Sequence, residues 1–126
     1  MTGTLLFPAA MRLEPPAAII TPKVWGSERL IHNAGGYCGK VMRLDKGWRC
    51  SLHCHRVKDE VLHLHSGLVV FEINNQEFMF TQGHSIHVRP GEYHRFSGLE
   101  DSVLFECSTH DDPADCHRLE PSGPMP

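Results

Sequence analysis

The chain has 126 residues, 40% of them hydrophobic and 21% charged, which is enough for one domain with its own core and no cross-links. A formal charge of -3 gives no electrostatic basis for a nucleic-acid or anionic-membrane partner. The five cysteines form no Cys-x2-Cys pair, which speaks against a disulfide framework or a thiolate zinc knuckle and for reduced thiols in the cytoplasm.

Residues 1 to 22 carry Pro8, Pro15, Pro16 and Pro22. Each proline removes a backbone donor and restrains its neighbour, so an extended, irregular arm is expected there. No basic region leads into a long apolar core, so no signal peptide is expected, and no apolar run approaches the ~20 residues needed to span a bilayer. Residues 23 to 109 hold short strand-like runs broken by turn signals. Tyr37 to Leu44 precedes the turn Asp45-Lys46-Gly47, and Trp48 to His55 and Glu60 to His65 follow. Leu68 to Ile73 ends at Asn74-Asn75, a hairpin signal answered by Glu77 to Phe80. Ser85 to Val88, His94 to Ser97 and Ser102 to Ser108 complete the set. Residues 110 to 126 form a polar, proline-rich tail expected to hold at most one helical turn. No segment keeps a helical period, and strands at this spacing predict an all-β, antiparallel jelly-roll barrel.

Of ten histidines, seven lie between His53 and His94. Side chains alternate faces on a strand, so His53 and His55 point the same way. Glu60 follows after a short turn, and His94 comes after a second glycine-rich turn. Three imidazoles and a carboxylate make a ligand set for one divalent first-row transition metal: Mn, Fe, Ni, Co or Zn. On an octahedral ion they leave two positions open, whereas zinc would be satisfied by four. By the same alternation His63 and His65 point away from the cavity, and Cys54 faces the core rather than the ligands. His84 reads as a turn residue.

Gly47, His53, His55, Glu60 and Gly67 meet every defined place of the first cupin motif, G-x5-H-x-H-x3-4-E-x6-G. Gly83, Gly91 and His94 meet the second, G-x5-P-x-G-x2-H-x3-N, with Arg89 in place of its proline and Gly98 in place of its asparagine. The chain thus resembles the cupins over the stretch from Gly47 to Gly98. Lys23-Val24-Trp25-Gly26-Ser27-Glu28, Gly39-Lys40-Val41, Glu106-Cys107-Ser108-Thr109, Asp115 and Arg118-Leu119 resemble the sugar-phosphate isomerase cupins, notably type II mannose-6-phosphate isomerases. One departure is His53, where that group commonly has glutamine.

That resemblance implies an aldose–ketose isomerase in which a metal stabilises an enediolate as a Lewis acid. Its substrate would be a small sugar or sugar phosphate. Glu106 and His87 are the candidate bases, and Lys58, just before the metal glutamate, would polarise the carbonyl or hold an anionic substituent. Arg89 and Arg95 are placed to meet a phosphate or carboxylate, and Trp25 to stack on a sugar or pack the barrel end. Two other classes fit the same residues: an Fe- or Ni-dependent dioxygenase of an enediol or diketone, and a non-catalytic small-molecule binder. Cupins commonly pair, so a homodimer joined through the arm is expected.

Overall fold

A computed structural model describes residues 17–126. Most of the arm expected over residues 1 to 22 therefore lies outside the described residues, and the rest of it enters the first strand. Strands β1 (Ile19–Lys23), β2 (Gly26–Ala34), β3 (Tyr37–Leu44), β6 (Glu60–Ser66), β9 (Ser85–Val88) and β11 (Ser102–Thr109) form one antiparallel sheet, in the order β1-β2-β3-β11-β6-β9. The second sheet runs β12-β5-β10-β4-β13, from β4 (Trp48–Arg49), β5 (Leu52–Cys54), β10 (His94–Gly98), β12 (His117–Glu120) and β13 (Gly123–Pro124). A hairpin of β7 (Leu68–Ile73) and β8 (Gln76–Thr81) joins this sheet through β10. The result is the expected all-β jelly roll, with no helix among the described residues. Accordingly, no helix there is long and apolar enough to cross a membrane.

The expected elements β3, β7 and β9 match their predicted limits, and the Asn74-Asn75 hairpin has both residues at positive φ, 50° and 65°. The run from Trp48 to His55 divides into β4 and β5, because Cys50 and Ser51 leave the ladder. Cys50 N–H still donates to Phe96 O at 3.2 Å. The segment after Thr109 is not a free tail: β12 pairs with β5 and β13 with β4. Its pairing was hidden by mixed polarity, since His117 to Glu120 form an edge whose side chains are mostly exposed.

Alternation decides what enters the barrel. Cys38, Lys40, Met42 and Leu44 of β3, Glu60, Leu62 and Leu64 of β6, and Ser102, Leu104 and Glu106 of β11 all face inward. Antiparallel register sorts them into rows. Met42, Leu104 and Leu64 lie side by side, and the next row places Lys40 and Leu62 on either side of Glu106. The barrel is therefore apolar at one end, where Leu44, Val69, Phe71 and Phe80 are at most 1% exposed, and charged at the other. Each such buried apolar side chain contributes about 1.5–3 kcal/mol, and the apolar end anchors the charged one.

Gly98, the departure from the second motif, has a packing reason. A Cβ there would lie 2.9 Å from Asp45 O and 3.0 Å from Leu44 Cγ, closer than side chains are accommodated.

Candidate metal centre and charged cavity

His53 and His55 project from the end of β5, and His94 opens β10 as the cross-strand partner of His53. Their ligand nitrogens lie within 4.8 Å of one another. Each ring is oriented through its other nitrogen. The Nδ1–H of His53 donates to Ser51 O at 2.8 Å, that of His55 to Asp115 O at 2.7 Å, and that of His94 to Glu92 O at 3.0 Å. A proton held at Nδ1 leaves the lone pair at Nε2, so three Nε2 lone pairs converge on one point. Burial, then the neighbouring His94, lowers the His53 pKa to about 3, which keeps that ring neutral. Burial also lowers the pKa of His55, assisted by the Lys58 charge.

Glu60 lies beside the three imidazoles as the candidate fourth donor. Its Oε2 lies 3.2 Å from Nε2 of His94 and 3.4 Å from Nε2 of His55. Yet this buried atom has no hydrogen-bond partner. The Lys58 ammonium, 3.6 Å from Glu60 Oε1, favours the ionised carboxylate. An ionised oxygen with no donor, facing imidazole lone pairs, is repulsive unless a cation lies among them. These four residues fit a divalent first-row ion, and they are the ones expected to hold it.

Beside them opens a cavity of about 600 Å³. Its wall carries a network of buried charge. Lys58 Nζ donates to Glu106 Oε2 at 3.0 Å and to Asp111 Oδ1 at 2.9 Å, and lies 3.6 Å from Glu60 Oε1. Lys40 Nζ donates to Asp111 Oδ2 at 3.0 Å and pairs with Glu28 Oε1 at 3.3 Å. Ser108 Oγ–H donates to Glu106 Oε2 at 2.9 Å. No hydrogen bond engages Glu106 Oε1 among the described residues, and Glu106 lines the cavity. Burial, then the Glu60 charge, raises the Glu106 pKa against the pull of Lys58 and Lys40. The register shift in β11 falls between Val103 and Leu104, ahead of Glu106, so it leaves that side chain facing in.

Glu28, Lys40 and Asp111 belong to this network although none was a candidate site residue; Glu28 and Lys40 stand in stretches that resemble the isomerase group. For Lys40 a signal existed: it stands between inward Cys38 and Met42 on an alternating strand. Asp111 gave none, because its place depends on Asn33 across the chain, whose Oδ1 accepts from Asp111 N–H at 3.0 Å and whose Nδ2 donates to Asp111 O at 2.9 Å.

Three expected site residues stand elsewhere. His87 pairs with outward Val61 and faces solvent, its Nε2 2.6 Å from Asp59 Oδ1. It cannot act as a base in the cavity. Arg89 is exposed in the turn before Gly91, with its N–H donating to Glu92 Oε1 at 2.7 Å, and its side chain does not line the cavity. Arg95, next to inward His94, alternates to the other side of β10. Its guanidinium is spent on Cys50 O at 2.9 Å, Glu120 Oε1 at 2.8 Å and Pro121 O at 3.0 Å. Trp25 does line the cavity, but it is 6% exposed and packs edge-on against Phe96 at 5.4 Å between centroids. Closing the barrel end is its structural part. His63 and His65 stack outside on Phe105, as alternation requires.

No curated protein matches the chain in sequence. Among solved structures it is similar to KdgF from Halomonas sp., with a TM-score of 0.65 and 15% identity over 70% of this chain and 81% of that one. It is similar to an RmlC-like cupin from Shewanella frigidimarina, with a TM-score of 0.70 and 16% identity over 77% of this chain and 87% of that one. The capsular polysaccharide assembling protein CapF from Staphylococcus aureus gives a TM-score of 0.73 and 19% identity over 82% of this chain, which spans only 34% of CapF. At these identities the likeness is one of fold. The Cupin domain model matches residues 40–105, more than half of the chain. With the barrel, the convergent imidazoles and that match in place, the chain belongs to the cupin family.

Proposed function

We propose that this cupin is a metal-dependent enzyme acting on a small sugar or hydroxy-carbonyl compound by aldose–ketose isomerisation. One observation carries the reading: Glu106, a buried carboxylate that lines the cavity and has no hydrogen bond to Oε1 among the described residues, shares Lys58 with the candidate ligand Glu60. A proton-transfer group and a ligand set thus face one chamber. A divalent ion held by His53, His55, Glu60 and His94 would supply Lewis acidity to adjacent oxygens of the substrate.

The chain's own part is proton movement and orientation. Glu106 Oε1 takes the proton from the carbon next to the carbonyl and returns it to the former carbonyl carbon, while the proton of the adjacent hydroxyl passes to the former carbonyl oxygen. Its raised pKa brings the group closer to a working pH than an exposed glutamate would be. Lys58 is a positioning residue here, since its donors are already committed to Glu106 and Asp111. The same reading takes the protein as a cytoplasmic homodimer. Five free cysteines support a reducing compartment. Exposed Ile19, Ile20, Ile31 and Tyr37 on the β1–β3 edge support pairing there.

The test begins with elemental analysis of wild type and His55→Ala. About one equivalent of a first-row metal is expected in the first and little in the second. Metal-loaded wild type should then exchange solvent deuterium into the carbon next to the carbonyl of its sugar, without oxygen, and Glu106→Gln should not while keeping its metal. Turnover only with iron and dioxygen would give the site to the dioxygenase alternative, and sugar binding without exchange would leave a binding cupin.

A further inference from the structure

We infer that the inner chamber takes a neutral polyol and excludes phosphate esters. This deepens the isomerase reading and rests on the same cavity. A phosphate needs cations with donors to spare, usually arginine or lysine. Neither expected arginine supplies one: Arg89 stands in the exposed turn, and all three branches of Arg95 are hydrogen-bonded outside the cavity. The two lysines inside are already paired with carboxylates. Lys58 is 3% exposed and held by Glu106, Asp111 and Glu60, and Lys40 is 7% exposed and held by Glu28 and Asp111.

The charges decide it. Among the buried and half-buried lining groups, two lysines against four carboxylates leave an excess of two negative charges, which one divalent ion would cancel. If Glu106 carries a proton, the total becomes one positive charge, but both ammoniums stay bonded to Asp111. A phosphate dianion inside would have to strip Lys40 or Lys58 from its carboxylates and would lie next to those it displaced. Hydroxyl groups meet no such barrier, because free carboxylate oxygens such as Glu106 Oε1 accept from them directly. Lys23, Asp112 and Arg118 also line the cavity and together add one positive charge, but all three are exposed. They are in reach of water and screened by salt.

Equilibrium dialysis or calorimetry on the full chain tests this, metal-loaded and metal-free, with free pentoses and hexoses, their terminal phosphate esters, and inorganic phosphate as probes. The loaded protein should hold a free sugar and bind the matching ester about tenfold more weakly or worse. Inorganic phosphate should not displace the sugar. Glu28→Gln, which removes one carboxylate from Lys40, should narrow the gap by raising ester affinity, an effect that mere structural damage does not produce. Tighter binding of the ester, displacement by inorganic phosphate, or retention of neither class overturns the inference. An ester that is both preferred and isomerised would overturn it while leaving the isomerase standing. A bound sugar that never exchanges its proton would do the reverse.

Discussion

Replacing Glu60 with glutamine separates a metal ligand from an ordinary buried salt-bridge partner, because the two roles predict opposite signs. In the metal-free protein Glu60 Oε2 has no donor and faces imidazole nitrogens at 3.2 and 3.4 Å. A buried unsatisfied group costs about 1–3 kcal/mol. A glutamine amide would donate to those lone pairs and relieve that cost. The contact given up, Lys58 Nζ at 3.6 Å, is the weakest of three, and the two nearer partners at 2.9 and 3.0 Å remain. Glu60→Gln should therefore raise the melting temperature of chelator-treated protein by about 4–12 °C for a domain of this size. Wild type at a hundredfold excess of metal over its Kd should gain about 2.7 kcal/mol, and the variant, lacking the anionic ligand, should gain much less. Thermal unfolding followed by circular dichroism, with chelator and with metal, reads both. If Glu60 instead pairs with a protonated imidazole, the substitution breaks a buried ion pair and costs about 3–5 kcal/mol. A lower melting temperature in chelator would refute the lone-pair arrangement and the metal-centre argument built on it.

Burial would raise the Asp111 carboxyl, but Lys58 and then Lys40 hold it down at about 2 against an ordinary 3.8. A depressed carboxylate stabilises the fold above its unfolded pKa, and that contribution fades as pH falls from about 4 to about 2. Asp111→Asn should thus lose about 2 kcal/mol at neutral pH, with the gap closing in acid; urea titrations giving the same gap at both ends would contradict it. His87→Ala and Arg89→Ala should keep metal content and stability within about 0.5 kcal/mol, and a lost metal in either would return that residue to the site. Gly98→Asn restores the usual motif residue yet should cost about 1–3 kcal/mol by overpacking against Asp45 O, so an unchanged denaturation midpoint would show that the backbone yields there.

The grouping of His53, His55 and His94 was legible because its geometry is local. His53 and His55 need only the two-residue period of a strand, and each glycine turn fixes the side of the barrel from which Glu60 and His94 return. Strand limits were legible for the same reason wherever turn chemistry is strong, as at Asn74-Asn75. The failures share one cause, which is that a charged residue's direction is not a local property. Arg95 sits one position from His94 and so faces the opposite side, where Glu120 waits on a strand whose polarity concealed it. His87 reads as cavity-lining by analogy, yet its cross-strand partner is outward Val61.

What joins the two halves of the site is the segment between β11 and β12, and here sequence reading meets a physical limit. Asp115 accepts three backbone N–H bonds, from Arg56, Val57 and Lys58, at 2.8, 3.0 and 2.9 Å, while its own carbonyl holds His55 Nδ1–H. Asp111, four residues earlier, bridges both buried lysines. One short loop therefore sets the ring of a metal ligand, the turn that leads to Glu60, and the ammonium beside Glu106. A shift of that loop would move His55 and Lys58 together, so losses from substitutions at Asp111 and Asp115 should fail to add, as groups sharing one network do. Asp111 carries no motif of its own, and each aspartate acts on residues more than fifty positions away through the closure of the barrel.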